Sequence, residues 1–312
     1  MKRLLVVNLI IITGATATGK TDLAIELAKK INGEIISADS MMVYKYMDIG
    51  TAKPSIEERQ GIPHYLIDVV EPSQDFSAKD FVEKADKKIK EIKNKGKIPI
   101  IVGGTWLYIQ ALLYGLAKAP EGDWEIREKL YAEDTKKLYE ELKKVDPDYA
   151  NKIHFNDKKR IIRALEVFYI TNKPFSQFLK EHSFAEKRYR FCGYVINRPK
   201  ENIMERIEKR VEKMLEMGLI EETENLLKMG FEKALTSMQA IGYKELIPYI
   251  KGEKKLDEAK GEIIKNTKKF AKRQLRAFRS KFNEKKDWEW LDISSYTNEE
   301  VLDKIIKKYY QK

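Results

Sequence analysis

The feature that most constrains this chain lies near its start. Leu9-Ile10-Ile11-Ile12 is an apolar run that ends at Thr13, and Gly14-Ala15-Thr16-Ala17-Thr18-Gly19-Lys20-Thr21 follows at once. That string satisfies G-x-x-x-x-G-K-[ST]. Leu23, Leu27 and Ile31 then recur at four-residue spacing, which predicts a helix. Strand, glycine loop and helix in this order are the context in which the string predicts phosphate binding. Gly14 and Gly19 let the backbone turn with its N–H groups inward. Those groups and the positive end of the helix dipole suit a di- or triphosphate. The loop Gly14, Ala15, Thr16, Ala17, Thr18, Gly19 with Lys20 and Thr21 is therefore expected to hold a diphosphate or nucleotide. Lys20 supplies a point charge, and the Thr21 hydroxyl is expected to hold Mg²⁺.

A second signal follows. Gly33 is expected to close the helix, Glu34-Ile35-Ile36-Ser37 reads as a short strand, and Asp39-Ser40 stands just beyond it. In open α/β sheets, ligands bind outside the carboxyl ends of the strands, which would turn Asp39 toward the phosphate site. Asp39 would equally well cap a turn or helix beginning at Met41-Met42-Val43-Tyr44, and local pattern leaves both readings open. Gly50-Thr51-Ala52-Lys53-Pro54 reads as a loop carrying a positive charge, and Tyr65 to Val70 as a buried strand. Asp68 lies inside that run, which favours a capping or structural role over metal binding. A helix is expected over residues 76–95 with Phe81, Ala85 and Ile89 on one face. Lys97 to Val102 reads as the next strand, and it ends in Gly103-Gly104-Thr105 with no carboxylate. A hydrolytic ATPase would usually place a metal-holding acid there, so this counts against one. Thr105 offers a hydroxyl beside a glycine pair instead, where a substrate can come close.

At 312 residues the chain can bury one large core or two smaller ones. Its net charge is +11, which suits an anionic partner as well as it suits a merely lysine-rich surface. Cys192 is the one cysteine, so no intramolecular disulfide exists and a reducing compartment fits. His64, His154 and His182 are far apart, which argues against zinc. Met1 to Val7 looks like the start of a signal peptide, but Asn8 interrupts it. No stretch is long enough to cross a membrane, and a cytoplasmic protein with no membrane partner is expected.

From Ala119 to Arg190 the pattern turns helical and charged, without strand signals, which suggests a helical insertion into an α/β core spanning 1–118 and 191–312. Within it Asn156-Asp157 is a candidate cap, and Lys159, Arg160 and Arg163 line one edge of the helix that follows. A solvated helix face explains them as well. Phe191 to Ile196 reads as a strand returning to the sheet, and Glu201 to Met217 as a helix with Ile203, Ile207, Val211 and Met214 as its stripe. Arg206 and Arg210 border that stripe with no carboxylate three or four residues away, which weakly favours an anionic ligand such as a pyrophosphate. The last long helical stretch is strongly basic, with Lys265, Lys268, Lys269, Lys272, Arg273, Arg276, Arg279 and Lys281 interleaved by Phe270, Phe278 and Phe282. Such a stripe suits a nucleic-acid backbone, the aromatics packing inward or stacking on bases.

Seven strings in one order, GATATGKTDLAIELA, GEIISADSMMVYKYMDIGTAKP, IIVGGTWLYIQALL, NDKKRIIRALEV, RIEKRVEKMLEMGLIEE, SMQAIGYKEL and NTKKFAKRQLRAFR, resemble the tRNA dimethylallyltransferase (tRNA isopentenyltransferase) family over nearly the whole chain. The resemblance implies a P-loop NTPase-like parallel-sheet α/β core with a mainly helical insertion that grips a tRNA anticodon stem-loop. It implies transfer of a dimethylallyl group from dimethylallyl diphosphate to N6 of the adenine beside the anticodon, nucleotide 37 by convention, by a monomeric enzyme. The loop at Gly14 would then hold that diphosphate rather than ATP. By resemblance Asp39 matches the general base, Thr105 the threonine of the glycine-glycine-threonine loop and Arg210 the diphosphate-binding arginine. With Lys20, these make up the expected catalytic set. Asp39, Ser40, Met41, Met42, Thr105, Arg127, Lys159, Arg160, Ile161, Ile162, Arg163, Lys272 and Arg273 are the expected tRNA-contacting residues. Ala15 stands where proline is common, Met42 where glutamine is usual, and Tyr46 and Trp106 where glycines are expected. Trp106 is expected to narrow the substrate channel or stack on a base. Two other functions remain on the sequence: prenylation of free adenine nucleotides, which needs neither the insertion nor the basic helix, and a small-metabolite kinase or ATP-driven RNA-binding module.

Overall fold

The structure, a computed structural model, describes residues 9–184, 186–234, 236–282 and 287–311. The signal-like opening at Met1–Val7 lies outside the described residues. In chain order, β1 (Leu9–Gly14) leads through the glycine loop into α1 (Lys20–Ile31). Then come β2 (Gly33–Ser37), β3 (His64–Tyr65), α2 (Ala78–Asn94), β4 (Ile98–Gly103) and α3 (Trp106–Tyr114). A helical stretch follows: α4 (Trp124–Ala132), α5 (Thr135–Val145), α6 (Pro147–Ala150), α7 (Lys158–Thr171) and α8 (Phe175–His182). The chain then returns through β5 (Phe191–Asn197), α9 (Lys200–Glu216), α10 (Leu219–Lys228), α11 (Tyr243–Ile250), α12 (Leu256–Phe282), β6 (Trp288–Asp292) and α13 (Asn298–Gln311).

Among the described residues the strands form one sheet in the order β3-β2-β4-β1-β5-β6, all parallel. Parallel strands need crossover helices, and these cover both faces, which is why the central strands are apolar on both sides. All six residues of β1 are buried, with Ile10 in register with Ile100 on one side and Cys192 on the other. Leu23, Leu27 and Ile31 of α1 pack on one face, with Ile12, Ile35 and Tyr194. α1 ends one residue earlier than expected, at Asn32 in the left-handed region (φ 53°). Gly33 belongs to β2 instead, where a Cβ would fall 2.7 Å from Ile100 Cδ1. α2 starts as its sequence asks, with a reciprocal cap between Ser77 and Asp80 and with Phe81, Ala85 and Ile89 buried.

The run from Tyr65 to Val70 is not the buried strand its composition suggests. Pairing with β2 ends at Tyr65, and Leu66 (φ 61°) and Asp68 (φ 56°) turn the chain away. Asp68 is structural, as expected: it pairs with Lys53 at 2.5 Å. Lys53, 3% exposed, also holds Asp48 at 2.8 Å and the Tyr44 carbonyl at 2.5 Å, so its charge is spent locally and not offered to a ligand. β6, which carries no clear signal in the sequence, forms the far edge beside β5, where Trp288 stacks on Phe282 with ring centres 3.9 Å apart.

The chain divides into two compact units, Met1–Leu113 with Arg188–Lys312, and Tyr114–Lys187. The helical unit thus starts at Tyr114 rather than Ala119 and ends at Lys187 rather than Arg190. Its core holds Leu130, Leu138, Leu142, Ile161, Ile162 and Leu165. Ile161 and Ile162 are 0% and 2% exposed, so two of the residues expected to touch tRNA are core residues instead. Burying each is worth about 1.5–3 kcal/mol, which explains why an apolar pair interrupts the basic edge. Lys159 and Arg160 are exposed at the start of α7.

Candidate active site

The glycine loop is shaped by two residues in the left-handed region, Ala17 (φ 64°) and Gly19 (φ 89°). Gly19 needs no side chain to be there, while Ala17 carries a cost of about 1 kcal/mol for its Cβ. Gly14 serves a different purpose from the turn expected of it. It is still in β1, and a Cβ would lie 2.5 Å from the Ile196 carbonyl oxygen of β5. The loop is buttressed from outside. Arg206 Nε donates to the Ala17 carbonyl (2.8 Å) and Arg198 Nε to the Thr18 carbonyl (3.0 Å). Gln274 of α12 accepts from the Thr16 N–H (2.9 Å).

Lys20 begins α1 and reaches back to the Ala15 carbonyl at 3.4 Å. Burial pulls its pKa from 10.5 down to about 8, with Arg210 pushing the same way and Asp39 and Asp22 opposing. Arg210 is pulled below the ordinary arginine value by burial first and by Arg206, again against Asp39 and Asp22. A guanidinium nonetheless keeps its charge in a protein. Lys20, Arg210 and Asp39 therefore stand close enough to act on one another's charge: two half-buried cations and one carboxylate. Half-buried cations without full pairing bind a multiply charged anion readily, because part of the cost of desolvating them is already met in the fold.

Asp39 closes a turn and also lines the cavity at the strand ends. Its Oδ1 accepts from the Met41 N–H (2.9 Å) and the Met42 N–H (3.4 Å), which closes a turn and not a helix. Oδ2 has no hydrogen bond among the described residues. Thr105 fixes this turn: its Oγ1 accepts from the Ser40 N–H at 3.0 Å and lies 3.3 Å from Ser40 Oγ, while its own N–H donates to the Ala38 carbonyl at 3.2 Å. Gly103 permits that approach, since a Cβ would fall 2.1 Å from the Ala38 carbonyl oxygen.

A cavity opens at the carboxyl ends of β2 and β4. Its polar lining comes from Lys20, Thr21, Ser37, Asp39 and Gly103, and its apolar lining from Ile35, Met42, Ile67 and Val102. The thioether of Met42, where a glutamine was expected, lies 3.7 Å from Ser37 Oγ. The Thr21 hydroxyl makes no hydrogen bond to another described residue. That free hydroxyl is a hard oxygen ligand opening on the cavity, which fits Mg²⁺. Among the described residues no cluster of three His, Cys, Asp or Glu could hold a metal by itself.

Other expected residues are placed elsewhere. Arg127 and Arg163 both bind the fully buried Glu166, Arg127 Nε at 2.7 Å, and Arg163 NH2 also donates to the Pro120 carbonyl at 2.6 Å. Glu166 in turn accepts from the Asp123 N–H at 2.7 Å. These arginines clamp the entry to the helical unit. On α12, Lys272 and Arg273 are exposed, Phe278 and Phe282 are buried, and Phe270 is 39% exposed. Trp106 does not line the cavity; its ring lies under Lys281 at 5.6 Å. Tyr46 keeps the left-handed backbone (φ 63°) that a glycine would take freely. The segment around Ser237–Glu245 is structural: buried Tyr243 donates to Glu222 (2.6 Å), whose carboxylate gathers the N–H groups of Asp48, Ile49 and Gly50.

Three site residues escaped the sequence reading. Arg198 follows β5 with no partner pattern to mark it. Gln274 is a polar residue inside a basic stripe, and only its spacing from buried Ala271 and Phe278 hinted that it faces inward. His64 lines the cavity, its Nδ1 2.8 Å from the Ile62 carbonyl and its buried Nε2 without a hydrogen-bond partner among the described residues; burial lowers its pKa.

A family model described as IPP transferase matches residues 42–281. The chain is 60% identical to a tRNA dimethylallyltransferase from Sulfurihydrogenibium sp. over 97% of both chains, and 54% identical to one from Aquifex aeolicus over 97% of both. Among solved structures it resembles a tRNA isopentenylpyrophosphate transferase from Staphylococcus epidermidis, at 44% identity and a TM-score of 0.71 over 97% of this chain and 99% of that one. It also resembles a eukaryotic dimethylallyltransferase acting on tRNA, at 30% identity and a TM-score of 0.81 over 96% and 79%. With the motifs, the parallel sheet and near-complete coverage in agreement, the chain belongs to the IPP transferase family of tRNA dimethylallyltransferases.

Proposed function

We propose that this chain transfers a dimethylallyl group from dimethylallyl diphosphate to N6 of adenine 37 in tRNA, giving N6-(dimethylallyl)adenosine and diphosphate. The observation that carries the proposal is that Lys20 and Asp39 line one cavity, with Arg210 near enough to act on both of their charges. An exocyclic adenine amine is a weak nucleophile and needs a base as it attacks. Asp39 Oδ2 takes the amine proton while the N–C bond forms and the allylic C–O bond breaks. Oδ1, held by two backbone N–H groups, keeps the carboxylate oriented. Charge gathers on the leaving diphosphate, where Lys20, Arg210 and the loop N–H groups stabilise it. Thr21 would hold Mg²⁺, whose charge would further stabilise the leaving oxygens. Thr105 positions the Asp39 turn through Ser40.

The RNA is proposed to be an anticodon stem-loop, met by Ser40, Met41 and Met42 beside the base and by exposed Lys159, Arg160, Lys272 and Arg273 on the backbone. Extracting the adenine from its stack costs a few kcal/mol, which these contacts offset. The working unit is further proposed to be a monomer, resident in the cytoplasm. Incubation with unmodified tRNA and dimethylallyl diphosphate, followed by mass spectrometry of nucleosides, tests the proposal. Product on AMP but none on tRNA would move the reading to a nucleotide prenyltransferase. Phosphoryl transfer from ATP without prenylation would refute both.

A further inference from the structure

Gln274 lies on α12, is 7% exposed, and spends both ends of its amide on the walls of the site. Oε1 accepts from the Thr16 N–H of the diphosphate loop at 2.9 Å, and Nε2 donates to the Gly104 carbonyl at 3.1 Å. The fit is tight, for a Cβ on Gly104 would come within 2.4 Å of Gln274 Nε2. One turn earlier, Ala271 packs with Ala15 and Ala17 of the loop and with Ile203 and Ile207 of α9. The two residues directly before Gln274 are Lys272 and Arg273, both exposed. One short stretch of helix thus carries cations outward and, at the next position, a buried amide inward onto both the diphosphate loop and the loop bearing Thr105.

We infer that Gln274 is a positioning residue through which the placement of α12 sets the diphosphate loop, so that a polyanion on the outer cations of α12 and a diphosphate in the loop strengthen each other's binding. The inference rests on the RNA reading proposed above. A helix is stiff, and a cation pair engaged by a phosphate backbone fixes its rotation and height. A buried amide with two partners transmits that placement, because leaving either partner unpaired costs more than the bond itself contributes. Coupling between two sites is reciprocal by linkage and typically amounts to 5–150-fold, so about tenfold is the expected size.

The test is titration calorimetry of inorganic diphosphate binding to the full chain, with and without a saturating unmodified anticodon stem-loop. The wild-type chain is expected to bind diphosphate about tenfold more tightly with the RNA present. Gln274→Met keeps the volume and removes both hydrogen bonds, and the ratio is expected to fall to about one while stem-loop binding at Lys272 and Arg273 persists. Gly104→Ala leaves Gln274 in the chain but displaces its amide, and the same loss is expected. Thermal melting checks that each variant is folded, and either folded variant suffices. A wild-type ratio near one, with prenylation intact, overturns the inference and leaves the functional reading standing. A ratio retained in both variants overturns it too. Absence of RNA binding and of prenylation in the wild type overturns both.

Discussion

Lys20 should make the protein less stable than it would be without the charge. Burial lowers its pKa from 10.5 to about 8, and that drop corresponds to at most about 3 kcal/mol of unfavourable energy in the charged, folded form. Lys20→Met removes that cost, and gives up a hydrogen bond to the Ala15 carbonyl worth about 1 kcal/mol. A net gain of about 2 kcal/mol at pH 7 is expected, or about 4 °C in melting temperature for a chain of this size. The pH dependence identifies the cause. Below about pH 8 Lys20 is protonated in both folded and unfolded states, and the full penalty is present. Between about 8 and 10.5 the folded state has released the proton and the unfolded state still holds it, so wild-type stability recovers as pH rises. The advantage of the variant should therefore be greatest at pH 7 and close by about pH 10.5. Urea unfolding of both proteins from pH 7 to 10.5 measures this directly, the difference between them cancelling every other titrating group. A variant that is less stable at pH 7, or an advantage that does not change with pH, would refute the reasoning. The same variant should lose diphosphate binding, since the penalty exists to keep an ammonium ready for an anion.

Asp39→Asn keeps the turn's acceptor oxygen but cannot take a proton, and should slow single-turnover prenylation by about 10²–10⁴-fold with little change in diphosphate affinity; a near-normal rate would leave Asp39 only its turn. Arg163→Ala leaves the buried Glu166 carboxylate one cation short, and should destabilise the helical unit by about 2–3 kcal/mol, read by hydrogen exchange within residues 114–187. Unchanged exchange with weakened RNA binding would instead make Arg163 a contact residue. Lys272→Ala with Arg273→Ala should lower the slope of log affinity for the stem-loop against log salt by about 1.5, without altering diphosphate binding in the absence of RNA. An unchanged slope would take α12 out of the RNA interface.

Much of this protein was fixed by local chemistry and therefore readable in advance. A parallel strand buried on both faces must be an apolar run, and a phosphate loop must pair glycine with a lysine at a helix start; β1, β4, β5 and α1 announce themselves for those reasons. The Ser77 cap of α2 and the stripe of α9 are equally local. Tertiary structure decided whatever depended on partners distant in sequence. Tyr65 to Val70 has the composition of a strand, but Leu66 and Asp68 take left-handed backbone, and the ion pair of Asp68 with Lys53 helps hold the turn. Arg163 and Lys159 look alike on a helical edge; only a glutamate buried beside one of them separates a clamp from an exposed cation. Ile161 and Ile162 match a motif associated with RNA, yet face a core that the sequence of α7 alone does not contain. Arg206 and Gln274 hold the glycine loop from 189 and 258 residues away, and no periodicity records such a bond. Period and propensity act over a few residues, whereas a site assembled at the ends of parallel strands draws its parts from separate crossovers, and only the closed sheet brings them together.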